Sequence, residues 1–150
     1  MPVDIVTIIQ EVVGELSTMP LFVHGTKSYQ NHITDQTDLT NGIAYLDEPI
    51  TSDDRAELGG AYTEKYPLKI FFGSRVPPTQ LFDFEQHHAA AIEQRQVRFE
   101  FINRLKLRTE IDTISDLKTV ELINEFDSNI SGVLLYFTCS CTSGDSTCVD

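Results

Sequence analysis

Residues 117–139 read LKTVELINEFDSNISGVLLYFTC, and this stretch has the pattern of a β-hairpin. Its halves, 117–126 and 130–139, are rich in β-branched and aromatic residues, and the turn-forming sequence Asp127-Ser128-Asn129 separates them. We therefore predict an antiparallel hairpin. In the second half both alternating sets of side chains are apolar, which is typical of a strand buried on two faces near the centre of a sheet.

An earlier pair of strands is predicted over residues 43–46 and 62–72. Pro49 closes the first strand, and residues 51–60 form an acidic connection that ends in two glycines. The side chains of the second strand alternate, so one set is predicted to face the core and the other set to face solvent. The core set is Tyr62, Glu64, Tyr66, Leu68, Ile70 and Phe72, and the opposite set is Thr63, Lys65 and Lys69. Pro67 has no N–H to donate, so it predicts an edge strand or a strand with one unpaired side at that point.

Two helices are predicted. Residues 3–17 carry apolar side chains at three- and four-residue spacing, and Pro20 favours a helix end near residues 17–20. The stripe consists of Ile5, Ile8, Ile9, Val12, Val13 and Leu16. A long helix is predicted from an N-cap at Thr79 to about Arg108. Its predicted buried side is Leu81, Phe84, His88, Ala91, Ile92, Phe99, Ile102 and Leu105.

These elements predict an α+β fold: a mostly antiparallel sheet built from two hairpins, packed against one long helix and an N-terminal helix. A short strand at residues 21–24 and a polar loop at 26–41 lie between the first helix and the first hairpin. We predict one domain over residues 1–140, since 150 residues is near the usual domain size. Residues 141–150 are predicted to be a polar, cysteine-containing tail.

Charge limits the partners. The chain has 23 acidic and 11 basic residues and a formal net charge of -12, which disfavours a broad basic face for DNA. An acidic channel wall that lets a duplex pass remains compatible with this charge. No run of about 20 apolar residues predicts a membrane span, and the N-terminus lacks a signal peptide's basic region, so we expect synthesis in the cytoplasm.

The cysteines Cys139, Cys141 and Cys148 cluster near residue 150. Their odd number and position predict free thiols outside the core rather than a disulfide framework. A metal or an intersubunit sulfur contact is the alternative interpretation.

No set of residues predicts catalysis, a cofactor or a bound metal. His87 and His88 are adjacent, whereas zinc-binding histidines on a helix lie four apart, so structural roles are expected for both. Asp53, Asp54 and Glu57 lack the register of a calcium loop and predict an exposed or interface loop.

Positive charge is concentrated late in the long helix. Five of the eleven basic residues lie there, which makes the molecule bipolar and suits stacking or ring formation through complementary patches. Ordinary exposed helix charges are the equally weighted alternative. The five are Arg95, Arg98, Arg104, Lys106 and Arg108.

The element order, α, β-hairpin, long α, β-hairpin, resembles that of the tail-terminator and tail-completion (head-tail joining) proteins of tailed bacteriophages. The similarity covers about residues 1–140 and is carried by AYLDEPI (44–50), YPLKIFF (66–72) and FDSNISGVLL (126–135). The polar stretch at 26–41 and the cysteine-bearing end have no counterpart.

The resemblance implies a structural virion protein that forms a ring, of six copies, at the head-proximal end of the tail tube. Its partners would be further copies of itself, the tail-tube protein and a neck or connector protein. DNA would pass through the lumen without specific binding, and the family implies no catalytic residues. We expect Asp53, Asp54, Arg55 and Glu57 to contact neighbouring subunits or the tail, because a polar loop between paired strands is a natural docking element.

Besides an accessory protein whose cysteine-containing tail has a redox or metal-binding role, two alternatives stay open. One is a different connector-ring role in the same neck. The other is a small cytoplasmic ligand-binding domain or enzyme, with a pocket near His24, Tyr45 and His88.

Overall fold

The computed structural model describes residues 4–25, 41–47, 50–56, 62–75, 84–125 and 130–143. Within them lie two helices and six strands of one mostly antiparallel sheet, which confirms the predicted α+β class. The elements are α1 (Ile5–Gly14), β1 (Leu21–Gly25), β2 (Ile43–Asp47), β3 (Asp53–Ala56), β4 (Tyr62–Arg75), α2 (Phe84–Leu105), β5 (Thr113–Glu125) and β6 (Ile130–Ser143).

The strands lie in the order β1-β2-β4-β6-β5, and β3 pairs with the first residues of β4. The β1–β2 pair is parallel, and the other pairs are antiparallel. β6 lies between β4 and β5, so the prediction of a central second hairpin strand is confirmed. Both strands of this hairpin are longer than the sequence pattern predicted.

The apolar stripe of α1 is buried as predicted. Asp4 caps the helix: the backbone N–H of Thr7 donates to its carboxylate at 3.1 Å, and the Thr7 hydroxyl donates at 2.7 Å. These bonds satisfy donors that the first turn leaves without intrahelical partners, and they lower the pKa of Asp4.

β4 carries the longest ladder, in which all fourteen of its residues pair with β6. On its other side the strand pairs with β3 at residues 62–65 and with β2 at residues 70–73. Pro67 lies opposite the interval between these partners. The prediction that one side of the strand is unpaired at Pro67 is confirmed among the described residues, and the edge-strand alternative is wrong.

The helices pack on one face of the sheet, which we call the helix face. Its core combines the α1 stripe with residues from α2 and from three strands, including Phe72, Phe101 and Phe137. The Phe101 ring lies 5.2 Å from the Phe72 ring and 5.8 Å from the Phe137 ring, a separation typical of packed aromatic side chains.

The predicted buried side of α2 is partly wrong. Ala91, Ile102 and Leu105 are buried, but His88, Ile92 and Phe99 are exposed. The helix is rotated so that His87 and Gln94 face the sheet, where the Nδ1 atom of His87 lies 2.6 Å from the Ser131 hydroxyl. A histidine can be buried when it has a hydrogen-bonding partner, so the buried side of α2 includes polar residues as well as apolar ones.

Two cysteines contradict the prediction of thiols outside the core. Cys139 and Cys141 lie in β6 and are fully buried on the helix face, and both are free. β6 continues to Ser143, because its last residues pair with the start of β4. Alternation along an apolar strand places residues 133, 135, 137, 139 and 141 on one face, so small cysteines complete the core there.

The connection predicted at residues 51–60 contains a strand, β3, whose four residues are all exposed. Several predicted features lie outside the described residues. They are the polar stretch from 26 to 40, Glu57, the glycines at 59 and 60, the N-cap at Thr79, Leu81, the turn at 127–129 and Cys148.

Candidate interaction surface

The sheet face opposite the helices, which we call the second face, is divided into two regions. At one end lies a buried apolar cluster built from four strands. Its members are Val23, Ile43, Tyr45, Phe71 and Ile130, with Leu21, Leu122 and Leu134 packed against them. Toward the other end the side chains become polar or charged, beginning with the exposed Lys69 and the half-buried Tyr136.

A row of interacting groups crosses the second face at this boundary. The Tyr45 hydroxyl oxygen lies 2.8 Å from the Gly25 carbonyl oxygen and 2.9 Å from Asp47 Oδ1, and its single proton can be donated to either acceptor. Asp47 Oδ2 lies 3.2 Å from Lys69 Nζ. The Nζ atoms of Lys69 and Lys118 lie 6.0 and 5.7 Å from the centre of the Tyr136 ring. We call the side chains of Tyr45, Asp47, Lys69, Tyr136 and Lys118 the cross-sheet row.

The row follows from strand register. Lys69 is paired with Tyr136 across the β4–β6 ladder, and Tyr136 is paired with Lys118 across the β5–β6 ladder. Directly opposed residues in antiparallel strands project from the same face, so two lysines flank one aromatic ring. The row therefore touches all five strands of the main sheet path.

The two lysines keep part of their ammonium surface open. The Lys69 side chain is 46% exposed, and Lys118 is exposed as well. An exposed cation near an aromatic ring gains only about 0.5–1 kcal/mol, and each ammonium has three donors. Both groups are therefore able to bind an anion in addition to their contacts with Tyr136.

Beside Tyr136 lies a groove of about 380 Å³. It is lined by Pro67, Leu68, Lys69, Asp116, Tyr136, Phe137 and Thr138. One wall comes from an irregularity in β5, where the register shifts between Ser115 and Lys118. Asp116 lies in this bulge with φ of 58°, a left-handed conformation that costs energy for a residue other than glycine. The groove thus combines an apolar floor with one cation and one carboxylate, and Lys118 lies next to it, on the Tyr136 ring.

The predicted contact residues Asp53, Asp54 and Arg55 lie on β3 and are exposed. Asp53 is paired with Lys65, and Arg55 with Thr63, so their side chains project on the second face. Asp54 is paired with Glu64 and projects toward the helix face. The structure therefore brings Asp53 and Arg55 together and separates Asp54 from them; Glu57 lies outside the described residues.

The alternative pocket near His24, Tyr45 and His88 is not formed by these residues, because His24 lies on β1, Tyr45 on β2 and His88 on α2, where it contacts β5. His24 Nδ1 lies 2.9 Å from the Leu46 carbonyl oxygen, and Tyr45 belongs to the cross-sheet row. The Nδ1 atom of His88 lies 2.8 Å from Glu121 on β5. β5 and β2 are three strand spacings apart, or about 14 Å.

A polar cleft of about 330 Å³ lies elsewhere, where the end of α1 meets α2 and the ends of β2 and β4. It is lined by Ser17, Thr18, Met19, Asn41, Gly42, Ser74, Glu93 and Gln94. Gln94 is buried, and Gly42 has φ of +85° and lies against the Gly73 carbonyl. Sequence reasoning missed this cleft because its residues come from four separate segments.

Much of the positive charge on α2 and just after it is used within the molecule. Arg108 Nη2 lies 2.8 Å from Glu11 and 3.0 Å from Glu110, and these bonds raise the pKa of Arg108. The Arg98 guanidinium donates to the Thr119 hydroxyl at 2.8 Å. These residues therefore join α2 to α1 and β5, which weakens the interpretation of the helix as a self-association patch.

Sequence reasoning identified Lys65 and Lys69 as outward-facing but missed the cross-sheet row. The row depends on which residues of β4, β5 and β6 lie opposite each other. The sequences of three separate strands do not determine the register between them. The available signal was Tyr136, whose hydroxyl is the one polar side-chain group in the apolar run 133–137.

Within the described ranges, no three histidine, cysteine, aspartate or glutamate side chains are grouped as a metal site. Neither described helix combines the length and apolar character needed to cross a membrane. Comparison with protein-family models and with curated proteins found no match for this chain.

Proposed function

We propose that the protein is a structural virion subunit of a tailed bacteriophage, a tail terminator that forms a ring on the head-proximal end of the tail tube. The ring would cap the tube and join it to the neck or connector, and DNA would pass through its lumen. The acidic balance of the chain suits such a lumen, because a negatively charged wall does not retain DNA.

One observation carries this proposal: the helices cover a single face of the sheet, while charged groups of both signs are exposed at separate places on the other face. Lys69 and Lys118 lie on the cross-sheet row, and Asp53 lies on β3. Separate complementary patches on one subunit favour head-to-tail contacts between copies, and such contacts close into rings when the rotation between neighbours allows it. The element order that resembles tail-terminator proteins supports the same function.

The test is the native mass of the purified protein, alone and mixed with tail tubes of the phage that encodes it. We expect a closed ring in at least the second condition, because some ring proteins assemble only on their template. Electron microscopy of the mixture should show added density at one end of the tube. A protein that stays monomeric and does not bind tubes would contradict the proposal.

A small ligand-binding domain remains the second candidate, and the polar cleft is the observation that favours it. The buried Gln94 and the hydroxyls of Ser17 and Ser74 would suit a small polar ligand. This candidate predicts that a Gln94→Leu variant loses binding of a ligand that co-purifies with the wild type. Ring formation would be unaffected by that substitution.

A further inference from the structure

Charged groups lie around the groove beside Tyr136: Lys69 pairs with Asp47, while Lys118 and Asp116 are exposed. Lys69 and Lys118 offer ammonium donors on the two sides of the ring, and Asp116 offers a carboxylate from the β5 bulge. A ligand for this groove would need an anion and a cation about one strand repeat apart, on a short extended segment.

Strand β3 has this pattern. Asp53 and Arg55 project from the same face of an exposed strand, two residues and about 7 Å apart. Lys118 and Asp116 are also two positions apart in sequence, with the acidic residue first as on β3, so the two segments complement each other when they run antiparallel. The two short segments therefore have complementary charge patterns of matching length.

Within one molecule these segments cannot meet. β3 pairs with β4, and β6 lies between β4 and β5, so Asp53 is about three strand spacings, or about 14 Å, from Lys118 across the sheet. Asp53 also lies opposite Lys65, at the far end of β4 from the apolar cluster. Only the β3 of a second molecule could enter the groove.

We propose that the groove beside Tyr136 binds the β3 strand of a neighbouring copy, with Asp53 of one copy meeting Lys118 of the next and Arg55 meeting Asp116. Because the two surfaces lie at different places on each subunit, the contact is heterologous and each copy uses both. The inference rests on the proposed ring and adds the surfaces that would join its subunits. An apolar groove floor would strengthen the ion pairs by excluding water.

The test uses two charge reversals and their combination. Lys118→Glu and Asp53→Lys should each weaken association about tenfold or more, because each places like charges in contact. The chain that carries both substitutions should recover most of the association, since every contact then pairs opposite charges again. Lys106→Glu makes the same change of charge just after α2, on the helix side, and should have little effect. Native mass against protein concentration, alone and on tail tubes, measures all five proteins.

The outcomes separate the contact from the function. Two results would overturn the proposed contact and leave the ring function standing. One is a ring that is as stable in both single variants as in the wild type. The other is a double variant that associates no more strongly than the single variants. A wild type that never assembles would overturn the ring function. In that case a TSDDRAE peptide (residues 51–57) would be titrated against the isotopically labelled monomer. Chemical-shift changes confined to Tyr136 and Lys118 would support the contact. The absence of any chemical-shift change would overturn it.

Discussion

At the scale of single residues, two glycines determine how closely the central strands approach at one end of the sheet. A Cβ at Gly132 would lie 1.9 Å from the Phe72 carbonyl oxygen, and one at Gly73 would lie 2.4 Å from the Phe71 ring. These two glycines are opposed in the β4–β6 ladder. The strands can hold this register only while neither position has a side chain.

We therefore expect Gly132→Ala to destabilise the protein by about 3 kcal/mol or more, because backbone atoms must move to admit the methyl group. Gly14→Ala is the matched control. No atom lies within 4 Å of a Cβ at this last residue of α1, so alanine should be neutral or stabilising by up to about 1 kcal/mol. Urea unfolding followed by circular dichroism compares the two. Equal stability of both variants would show that β4 and β6 separate at little cost.

The buried cysteines give a second prediction at this scale. Burial raises the pKa of Cys139 to about 12, with a further contribution from Cys141. Burial also raises the pKa of Cys141 to about 11, with further contributions from Asp112, Glu64 and Glu110. The thiolate is the reactive form of cysteine. A pKa of about 11 instead of the ordinary value near 9 lowers the thiolate fraction of Cys141 about 100-fold at pH 8.

Iodoacetamide at pH 8 should therefore modify Cys139 and Cys141 rapidly only after denaturation, and peptide mass spectrometry identifies the modified residues. The raised pKa values also mean that the thiols favour the folded state below pH 9, and that this contribution is lost as the pH rises toward 11–12. Rapid labelling of either cysteine in the native protein would contradict its burial.

At the scale of elements, α1 is held against α2 by a polar network as well as by the core. Glu100 on α2 accepts hydrogen bonds from the Ser17 backbone and hydroxyl, at 3.1 and 2.8 Å, and from Arg104 at 3.1 Å. Burial alone would raise the pKa of Glu100, but these bonds outweigh it and lower the pKa. The ionised carboxylate thus holds the loop that follows α1 against α2.

We expect Glu100→Gln to lower the free energy of unfolding by about 1 kcal/mol at neutral pH, the value of a charged hydrogen-bond network discounted for its exposure. A lowered pKa in the folded state stabilises the protein above the ordinary glutamate pKa, and this contribution is lost as the pH falls below it. The difference between variant and wild type should therefore disappear in acid. Urea midpoints between pH 3 and 7 measure it.

Glu93→Gln is the control for this prediction, since Glu93 is an exposed glutamate on the same helix. It should change stability little at any of these pH values. A Glu100→Gln effect that is independent of pH, or equal to that of Glu93→Gln, would show that the network contributes nothing through its charge.

Elements differ in how far the sequence predicts them. The α1 stripe was correctly predicted, because it has a single apolar face. The β4 alternation was correct from Tyr66 to Ile70, but Tyr62 is exposed and Phe71 is buried on the second face. α2 has two plausible stripes, and the polar residues His87 and Gln94 lie in the one that is buried. A hydrophobic pattern cannot find a face where hydrogen bonds replace apolar contacts. β3 was missed because an exposed, four-residue edge strand has no apolar pattern at all.

At the scale of the whole molecule, the fold class followed from the order of elements, but the strand order did not. The parallel β1–β2 pair and the place of β6 between β4 and β5 depend on contacts between distant segments. The candidate groove could not be predicted from the sequence for the same reason, since its residues come from three strands. Local pattern predicts which side of a strand faces solvent, and only topology decides which exposed side chains become neighbours.

The same topology determines the order in which the protein can fold. Hairpin β5–β6 joins residues close in sequence, so it can form early, whereas the β4–β6 ladder joins strands separated by all of α2 and β5. Folding slows as contacts become less local. During synthesis β4 would wait, with its apolar face uncovered, until residue 143 had left the ribosome. Chaperones have the longest access to the nascent chain during that interval.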